Sequence, residues 1–142
     1  MARGINGMLI FRDIEDYLKF LEILREKLKK YKAILFAFNL MSNHIHLLIR
    51  TTLANLSAFM HSILSNYAKY FNQKYHRVGH LFQGRYKSII VEPDTQQVMN
   101  VCIYIHLNDF KAKLVKVPGE YLFSSYNNYI GNKIYDFVDS EY

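Results

Sequence analysis

Two histidines stand one residue apart in the segment Asn43-His44-Ile45-His46-Leu47, which opens an apolar run typical of a β-strand. Successive side chains of a strand point to opposite faces of a sheet, so His44 and His46 are predicted to project from the same face. Two neutral imidazoles fixed on a strand can supply two ligands to a divalent metal ion. Histidines at this spacing are more often simply packed or exposed, so the metal hypothesis needs support from elsewhere in the chain.

A tyrosine and an asparagine further along the chain supply the complementary chemistry. Apolar residues at helical spacing predict a helix over roughly 95–108, with these on its buried stripe: Val98, Val101, Cys102 and Ile105. Tyr104 and Asn108 are four residues apart and therefore share one flank of that helix. A phenol can attack a phosphorus atom to form a phosphotyrosine if the phosphate charge is neutralised.

A divalent ion held by His44, His46 and the Asn108 side-chain oxygen would neutralise that charge. Imidazole and hard oxygen ligands with open positions suit Mg²⁺ or Mn²⁺ better than structural zinc. In the alternative interpretation Tyr104, one of 12 tyrosines in the chain, merely packs beside the apolar stripe.

The segment Gly79–Lys87 mixes cations, aromatic rings and glycines. Such a mixture favours contact with nucleic acid, with cations on phosphates and rings near bases. This hypothesis assigns DNA contacts to five side chains: Arg85 and Lys87 for phosphates, Phe82 or Tyr86 for bases, and His80 beside them. The alternative is the entry to a strand, predicted over 84–91, that exposes a solvated basic face.

The composition fits a single globular domain, residues 1–142. Lys and Arg number 18 against 12 Asp and Glu, which leaves a net charge of +6, and aromatic residues make up 15% of the chain. Such a balance suits nucleic acid, although a basic protein with an ordinary tyrosine-rich core has the same composition. The single cysteine, Cys102, excludes an internal disulfide framework and a cysteine-cluster zinc site, and indicates a reducing, cytoplasmic setting. No apolar run approaches the ~20 residues that span a bilayer, and no signal peptide is visible.

A small sheet and three main helices are needed to position these residues. Periodicity and turn signals predict an extended start over 1–11 and a helix from Asp13 to about Tyr31. A strand pair follows over 34–41 and 44–49, with its turn at Ser42-Asn43, and then a helix from Asn55 to before Arg77. The strand over 84–91 comes next, then the helix over 95–108 capped by Asp94 or Thr95, and last a tail of turns and short segments over 114–130. This order predicts an α+β fold of βαββαβ type, an antiparallel sheet with helices on one face.

Four blocks in register cover nearly the whole chain. They are Leu40-Met41-Ser42-Asn43-His44-Ile45-His46-Leu47-Leu48-Ile49, Gly79-His80-Leu81-Phe82-Gln83-Gly84-Arg85-Tyr86-Lys87-Ser88, Tyr104-Ile105-His106-Leu107-Asn108 and Tyr121-Leu122-Phe123-Ser124-Ser125-Tyr126. In these blocks the chain resembles the small single-tyrosine transposases of the IS200 kind, which are HUH (His-hydrophobic-His) endonucleases, and above all the REP-associated tyrosine transposases.

The resemblance implies a ferredoxin-like fold and a metal-dependent transposase that cuts and rejoins single-stranded DNA next to imperfect hairpins. It implies His44 and His46 as metal ligands, Asn108 in the third-ligand position and Tyr104 as the nucleophile. The implied product is a 5′-phosphotyrosine adduct, with a free 3′-hydroxyl on the other DNA fragment. Related enzymes include homodimers, so the resemblance leaves Tyr104 to act in cis or in trans.

The chain departs from the family pattern at several positions. Asp109 replaces the usual proline, Lys111-Ala112-Lys113 stands where Arg-Ala-Gly is usual, and Phe123 replaces the usual tryptophan. Family members carry further residues before the stretch that matches Arg3–Asn6, so the first strand is expected to be short or truncated. An alternative interpretation is a non-cleaving module of the same fold that binds hairpin DNA or RNA.

Overall fold

The computed structural model describes residues 1–141 and has an α+β fold with a three-stranded antiparallel sheet. Its strands are β1 (Ala2–Arg3), β2 (Ala33–Met41) and β3 (His44–Thr51), in the sheet order β1-β3-β2. Its helices are α1 (Ile14–Lys30), α2 (Leu56–Lys74), α3 (Thr95–His106), α4 (Asn108–Lys111) and α5 (Tyr126–Tyr129), with single 3₁₀ turns at Ile5–Gly7 and Pro118–Glu120. The predicted α+β class and the short first strand are confirmed.

Packing divides the chain into two compact units. One consists of residues 1–33, 42–44 and 51–87, and the other of residues 34–41, 45–50 and the chain from residue 88 onward. Along residues 1–141, no helix combines the length and the apolar composition that crossing a membrane requires.

In the first unit, α1 and α2 pack together around aromatic rings. Helix α1 begins where the sequence predicts, and Asp13 caps it, since its carboxylate accepts a hydrogen bond from the Asp16 amide at 3.0 Å. The rings of Phe20 and Tyr67 are fully buried and meet edge to face with centroids 5.3 Å apart. The Tyr67 hydroxyl donates to the Ile10 carbonyl, so the polar end of this buried ring is satisfied.

In the second unit, α3 packs on the sheet through the apolar stripe predicted for it. The buried cluster consists of Phe36, Ala37, Leu48, Val98, Cys102 and Ile105. Asp94 caps α3 by accepting from the Gln97 amide at 3.0 Å. The helix therefore begins where the sequence predicts and presents its opposite flank away from the core.

The prediction of a strand over 84–91 is wrong. Residues up to Lys87 do lie against β1, since the amides of Gln83 and Lys87 donate to the carbonyls of Arg3 and Met1 at 2.8 and 2.9 Å. From Ser88 to Val91 no backbone hydrogen bond joins this segment to another described part of the chain, and Ile89 and Ile90 are 90% and 92% exposed. Strand-forming side chains produce a strand only where a neighbouring backbone pairs with them.

The tail after α4 forms turns and short segments, as predicted, and it also runs along the outer edge of β2. The amides of Leu40 and Ser125 donate to the carbonyls of Phe123 and Phe38 at 2.9 and 3.0 Å, respectively. The Ser125 hydroxyl also accepts from the Phe38 amide at 2.9 Å. The tail thereby occupies backbone groups that an open strand edge would expose.

Candidate active site

The alternation of β3 places the two histidines on one face of the strand. Ile45, between them, is completely buried, whereas His44 and His46 are both half-buried. This is the arrangement that a period of two residues dictates for a strand with one face in the core. The pair stands at the start of β3, directly after the Ser42-Asn43 turn.

Asn43 holds the ring of His44. The Asn43 Oδ1 atom lies 2.6 Å from His44 Nδ1 and, as a carbonyl oxygen, accepts its proton. The ring is then protonated at Nδ1 and carries its lone pair on Nε2. Metal-binding histidines commonly have such a tautomer, in which a hydrogen bond fixes the nitrogen that does not bind the metal. Burial lowers the pKa of His44, and the charges of Arg3 and the chain's amino terminus lower it further, so the neutral ring is favoured.

The second histidine lies against the predicted nucleophile. The rings of His46 and Tyr104 meet edge to face, with centroids 6.1 Å apart and planes at 85°. Tyr104 is 53% exposed, whereas Ile105, the next residue of α3, is buried. The phenol thus stands at the surface, against the histidine strand, on a helix that is anchored by its opposite side.

Asn108 lies one turn beyond Tyr104, as the spacing predicts. Helix α3 ends at His106, two residues earlier than the expected 108, and Asn108 is the first residue of α4. The Asn108 Nδ2 atom donates to the Tyr104 carbonyl at 2.8 Å and more weakly to the Ile105 carbonyl at 3.4 Å. Its amide nitrogen is therefore turned toward the helix end, which directs the carboxamide oxygen away from these carbonyls.

The donor set fits a divalent cation. Two imidazoles and one carboxamide oxygen, His44, His46 and Asn108, are chemically suitable ligands for Mn²⁺ or Mg²⁺, with positions left for water or phosphate. Within residues 1–141 there is no cluster of three or more His, Cys, Asp and Glu side chains that could hold a metal ion. The candidate set of His44, His46 and Asn108 is not a cluster of that type, because its third member is an asparagine.

A buried polar pair, unpredicted from the sequence, supports the junction of α3 and α4. Asn39 of β2 and Asp109 are both completely buried. The Asn39 Nδ2 atom donates to Asp109 Oδ1 at 2.7 Å and to the Ile105 carbonyl at 3.0 Å. Ile105 directly follows Tyr104, and Asp109 directly follows Asn108, so Asn39 contacts the neighbours of both candidate functional residues. Asn39 is polar within the apolar run of β2 and was the one sequence signal for this pair.

A second buried contact ties the same helix end to the tail. His106 is 4% exposed, and its Nε2 lies 2.7 Å from the Ser125 hydroxyl. Burial lowers the pKa of His106 to about 4, so the ring is neutral at physiological pH. His106 therefore serves the structure of this helix end.

The predicted DNA-contacting residues all belong to the first unit. His80, Arg85 and Lys87 are exposed, and Phe82 and Tyr86 are half-buried. The Phe82 ring lies 6.4 Å from the ring of Tyr67, so it packs partly against the aromatic core. The exposed cations are thus available to phosphates, whereas Phe82 is only partly available to a base.

A lysine after the tyrosine helix contacts the phenol ring. The ammonium of Lys111 lies 5.4 Å from the centroid of the Tyr104 ring. This is the distance of a cation–π contact. The sequence does not predict this contact, since nothing in the spacing of α4 indicates which side chain reaches back to the ring.

Two comparisons with known proteins match the chain. Residues 9–108 match the family model described as transposase, IS200-like. A solved structure of a REP-associated tyrosine transposase bound to a REP hairpin is similar in fold, with a TM-score of 0.68 and 16% sequence identity. The similarity covers 89% of this chain and 76% of that one. No curated protein matches the chain.

Proposed function

Because this chain belongs to the IS200-like transposase family, we propose that it is a metal-dependent enzyme that nicks and rejoins single-stranded DNA through Tyr104. The observation that carries the proposal is the contact between the rings of Tyr104 and His46, with Asn108 one turn further on. These three residues join the chemistry of a nucleophile with that of a metal ligand set. The proposal takes residues 1–142 as one transposase domain, within which the family model matches residues 9–108.

His44, His46 and Asn108 are the residues that would hold the divalent cation, Mg²⁺ or Mn²⁺. When bound, the cation withdraws charge from a phosphate oxygen and so makes the phosphorus easier to attack. Asn43 orients His44 toward this role by fixing its Nδ1 proton. The Asn39–Asp109 pair holds the helix end that carries Tyr104 and Asn108.

The Tyr104 hydroxyl oxygen attacks the phosphorus of one phosphodiester. A bond forms between that oxygen and phosphorus, and the bond from phosphorus to the 3′-oxygen breaks. The phenol loses its proton to solvent, the departing 3′-oxygen gains one, and the 5′-phosphate remains on Tyr104. Attack by a second 3′-hydroxyl on this adduct reverses the step and joins new ends. The contact between Tyr104 and His46 within one chain favours action in cis, so a homodimer is not needed for the chemistry.

Hairpin DNA with an adjacent single strand is the proposed substrate. The similar solved structure is bound to a REP hairpin, and this chain carries a net charge of +6. Arg85 and Lys87 are exposed and suit backbone phosphates, with His80, Phe82 and Tyr86 in the same segment. The buried thiol of Cys102 suits a reducing, cytoplasmic setting.

The alternative is a hairpin-binding module that does not cleave. The exposed cations of residues 80–87 would serve this function equally well, because binding phosphates requires neither a nucleophile nor a metal ion. The two functions differ in one product, the covalent adduct between protein and DNA.

The test is to incubate the protein with end-labelled hairpin DNA and Mg²⁺ or Mn²⁺ and to look for an adduct that survives denaturation. We expect the wild type and the control Tyr31→Phe to form it, Tyr104→Phe to form none, and His46→Ala to lose at least ~10-fold in yield. Hairpin binding without an adduct under either metal ion would establish the non-cleaving alternative. An adduct that persists in Tyr104→Phe would remove Tyr104 from its role.

A further inference from the structure

The surface that directly follows the tyrosine helix is both basic and apolar. We call residues 110–117 the basic segment. Its cations, Lys111, Lys113 and Lys116, are all exposed. Each is next to an apolar side chain with a large exposed fraction: Phe110 at 45%, Leu114 at 50% and Val117 at 57%. An exposed surface that alternates in this way suits a ligand that has both negative charges and flat apolar faces.

The positive charge of the basic segment is not cancelled by neighbouring carboxylates. Asp109 is completely buried and faces Asn39. The Glu120 carboxylate accepts from the backbone amides of Lys116 and Val117 at 3.2 and 3.3 Å, so it serves the backbone of the turn. In the described part of the chain, none of the segment's lysine side chains forms an ion pair.

The basic segment reaches the proposed reaction centre directly. The Lys111 ammonium lies 5.4 Å from the centroid of the Tyr104 ring. Any phosphate attacked by this phenol therefore arrives beside a lysine, and the following nucleotides extend from the same place. Lys113 is two residues further along the chain.

Lys113 has a backbone conformation that a lysine rarely adopts. Its φ is +58°, in the left-handed region that glycine occupies without strain. It follows α4 in the hydrogen-bond pattern of a helix-ending turn, since the amides of Lys113 and Leu114 donate to the carbonyls of Phe110 and Asp109 at 2.9 and 3.0 Å. Glycine occupies this conformation without strain, so a glycine at position 113 should not weaken the turn.

We propose that the basic segment binds the single strand of DNA next to the attacked phosphodiester. In this role Lys111, Lys113 and Lys116 contact phosphates, and Phe110 offers a ring to an unpaired base. The proposal rests on the function proposed above, because it takes Tyr104 as the place where the strand is cut.

Lys113→Gly is the variant that tests this surface, because it removes a cation and relieves backbone strain at once. Lys32→Gly is the matched control, since Lys32 is an exposed lysine with a left-handed φ of +51° in the other compact unit. We expect the midpoint of urea unfolding to be no lower in either variant than in the wild type. Weaker DNA binding then cannot be ascribed to unfolding.

The readout is the dissociation constant of a fluorescent oligothymidylate, measured by anisotropy at several salt concentrations without added metal ion. A lost phosphate contact on a single strand reduces the slope of log K against log salt by ~0.7. We expect this reduction in Lys113→Gly, and wild-type slopes in Lys113→Arg and Lys32→Gly. A blunt hairpin without single-stranded flanks should bind all four proteins alike.

Three results would overturn the proposal. Lys113→Gly could keep the wild-type slope of log K against log salt. Lys32→Gly could reduce that slope as much as Lys113→Gly does. Alternatively, Lys113→Gly could weaken binding of the blunt hairpin alone. The adduct assay separates this proposal from the nicking function. If Lys113→Gly reduces the slope but the wild type forms no adduct, the DNA-binding role of the basic segment stands and the nicking function fails. If the wild type forms an adduct but Lys113→Gly keeps the wild-type slope, the nicking function stands and the DNA-binding role of the basic segment fails.

Discussion

Asp16 in the first unit and Asp109 in the second are both completely buried, yet their surroundings shift the pKa of the carboxyl group in opposite directions. Asp16 accepts from the Tyr75 hydroxyl at 2.6 Å, the Arg12 amide at 2.8 Å, the Tyr70 hydroxyl at 2.9 Å and the Lys74 ammonium at 3.0 Å. Burial by itself would raise the pKa of this carboxyl, but the four donors outweigh it and hold the pKa below its ordinary value of 3.8.

Asp109 has far fewer donors. Asn39 supplies one side-chain hydrogen bond at 2.7 Å, and burial raises the pKa of the Asp109 carboxyl. The Asp109 Oδ2 and Asn39 Oδ1 atoms are buried and receive no hydrogen bond from residues 1–141.

The difference separates a carboxylate that joins two helices from one that borders the candidate active site. Asp16 binds α1 to α2 with its oxygens well satisfied, which is how a buried charge becomes stabilising. Asp109 tolerates an incompletely satisfied pair next to Asn108, a kind of imperfection that is concentrated at functional sites in native proteins.

The largest expected effect is that of Asp16→Ala. Removing the carboxylate leaves the two tyrosine hydroxyls and the Lys74 ammonium without their buried acceptor, so we expect the free energy of unfolding to fall by about 3 kcal/mol. Urea denaturation measures it. The control is Glu15→Ala, because Glu15 also pairs with Lys74, at 3.2 Å, but is 79% exposed at its side chain. We expect a loss below about 1 kcal/mol there, and equal losses would contradict the special role of Asp16.

A smaller effect is expected at the Asn39–Asp109 pair. Asn39→Leu and Asp109→Leu should each lower the free energy of unfolding by about 2 kcal/mol, because each leaves a buried partner unsatisfied. The double variant should cost clearly less than the sum, since two apolar side chains need no partner. Additive losses in this double-mutant cycle would show that the two side chains are not coupled.

The smallest effect is a pH dependence in the first unit. The pKa of Asp16 is lower in the folded chain, so its stabilising contribution is complete well above pH 3.8 and is lost as the pH falls through the folded value. The stability difference between the wild type and Asp16→Asn should therefore shrink on acidification below the ordinary Asp pKa. A difference that is independent of pH would place the effect in packing rather than in charge.

Much of the fold follows from local patterns in the chain. Asp13 and Asp94 are followed by apolar residues at helical spacing, and the helices after them begin where expected. The hairpin of β2 and β3 turns at Ser42-Asn43 because two apolar runs meet there at a turn dipeptide. These features depend on neighbours within a few residues, which is why a single sequence suffices to predict them.

The failures concern contacts between residues far apart in the chain. Ile89 and Ile90 have strong strand propensity, but pairing with β1 ends at Lys87 and no strand forms. The bond from Asn39 to Asp109 joins residues 70 positions apart, and the bond from His106 to Ser125 requires the tail to return to α3. No local pattern encodes such distances.

The sequence by itself determined which residues can do chemistry. The spacing of His44 and His46 sets them on one strand face, and the four-residue step from Tyr104 to Asn108 sets both on one helix flank, because strand and helix periods are fixed by backbone geometry. Only the tertiary structure brought the phenol of Tyr104 against His46 and Lys111 against the phenol. That meeting depends on how α3 packs on the sheet, and packing is decided by the summed burial of many side chains rather than by the spacing of a few.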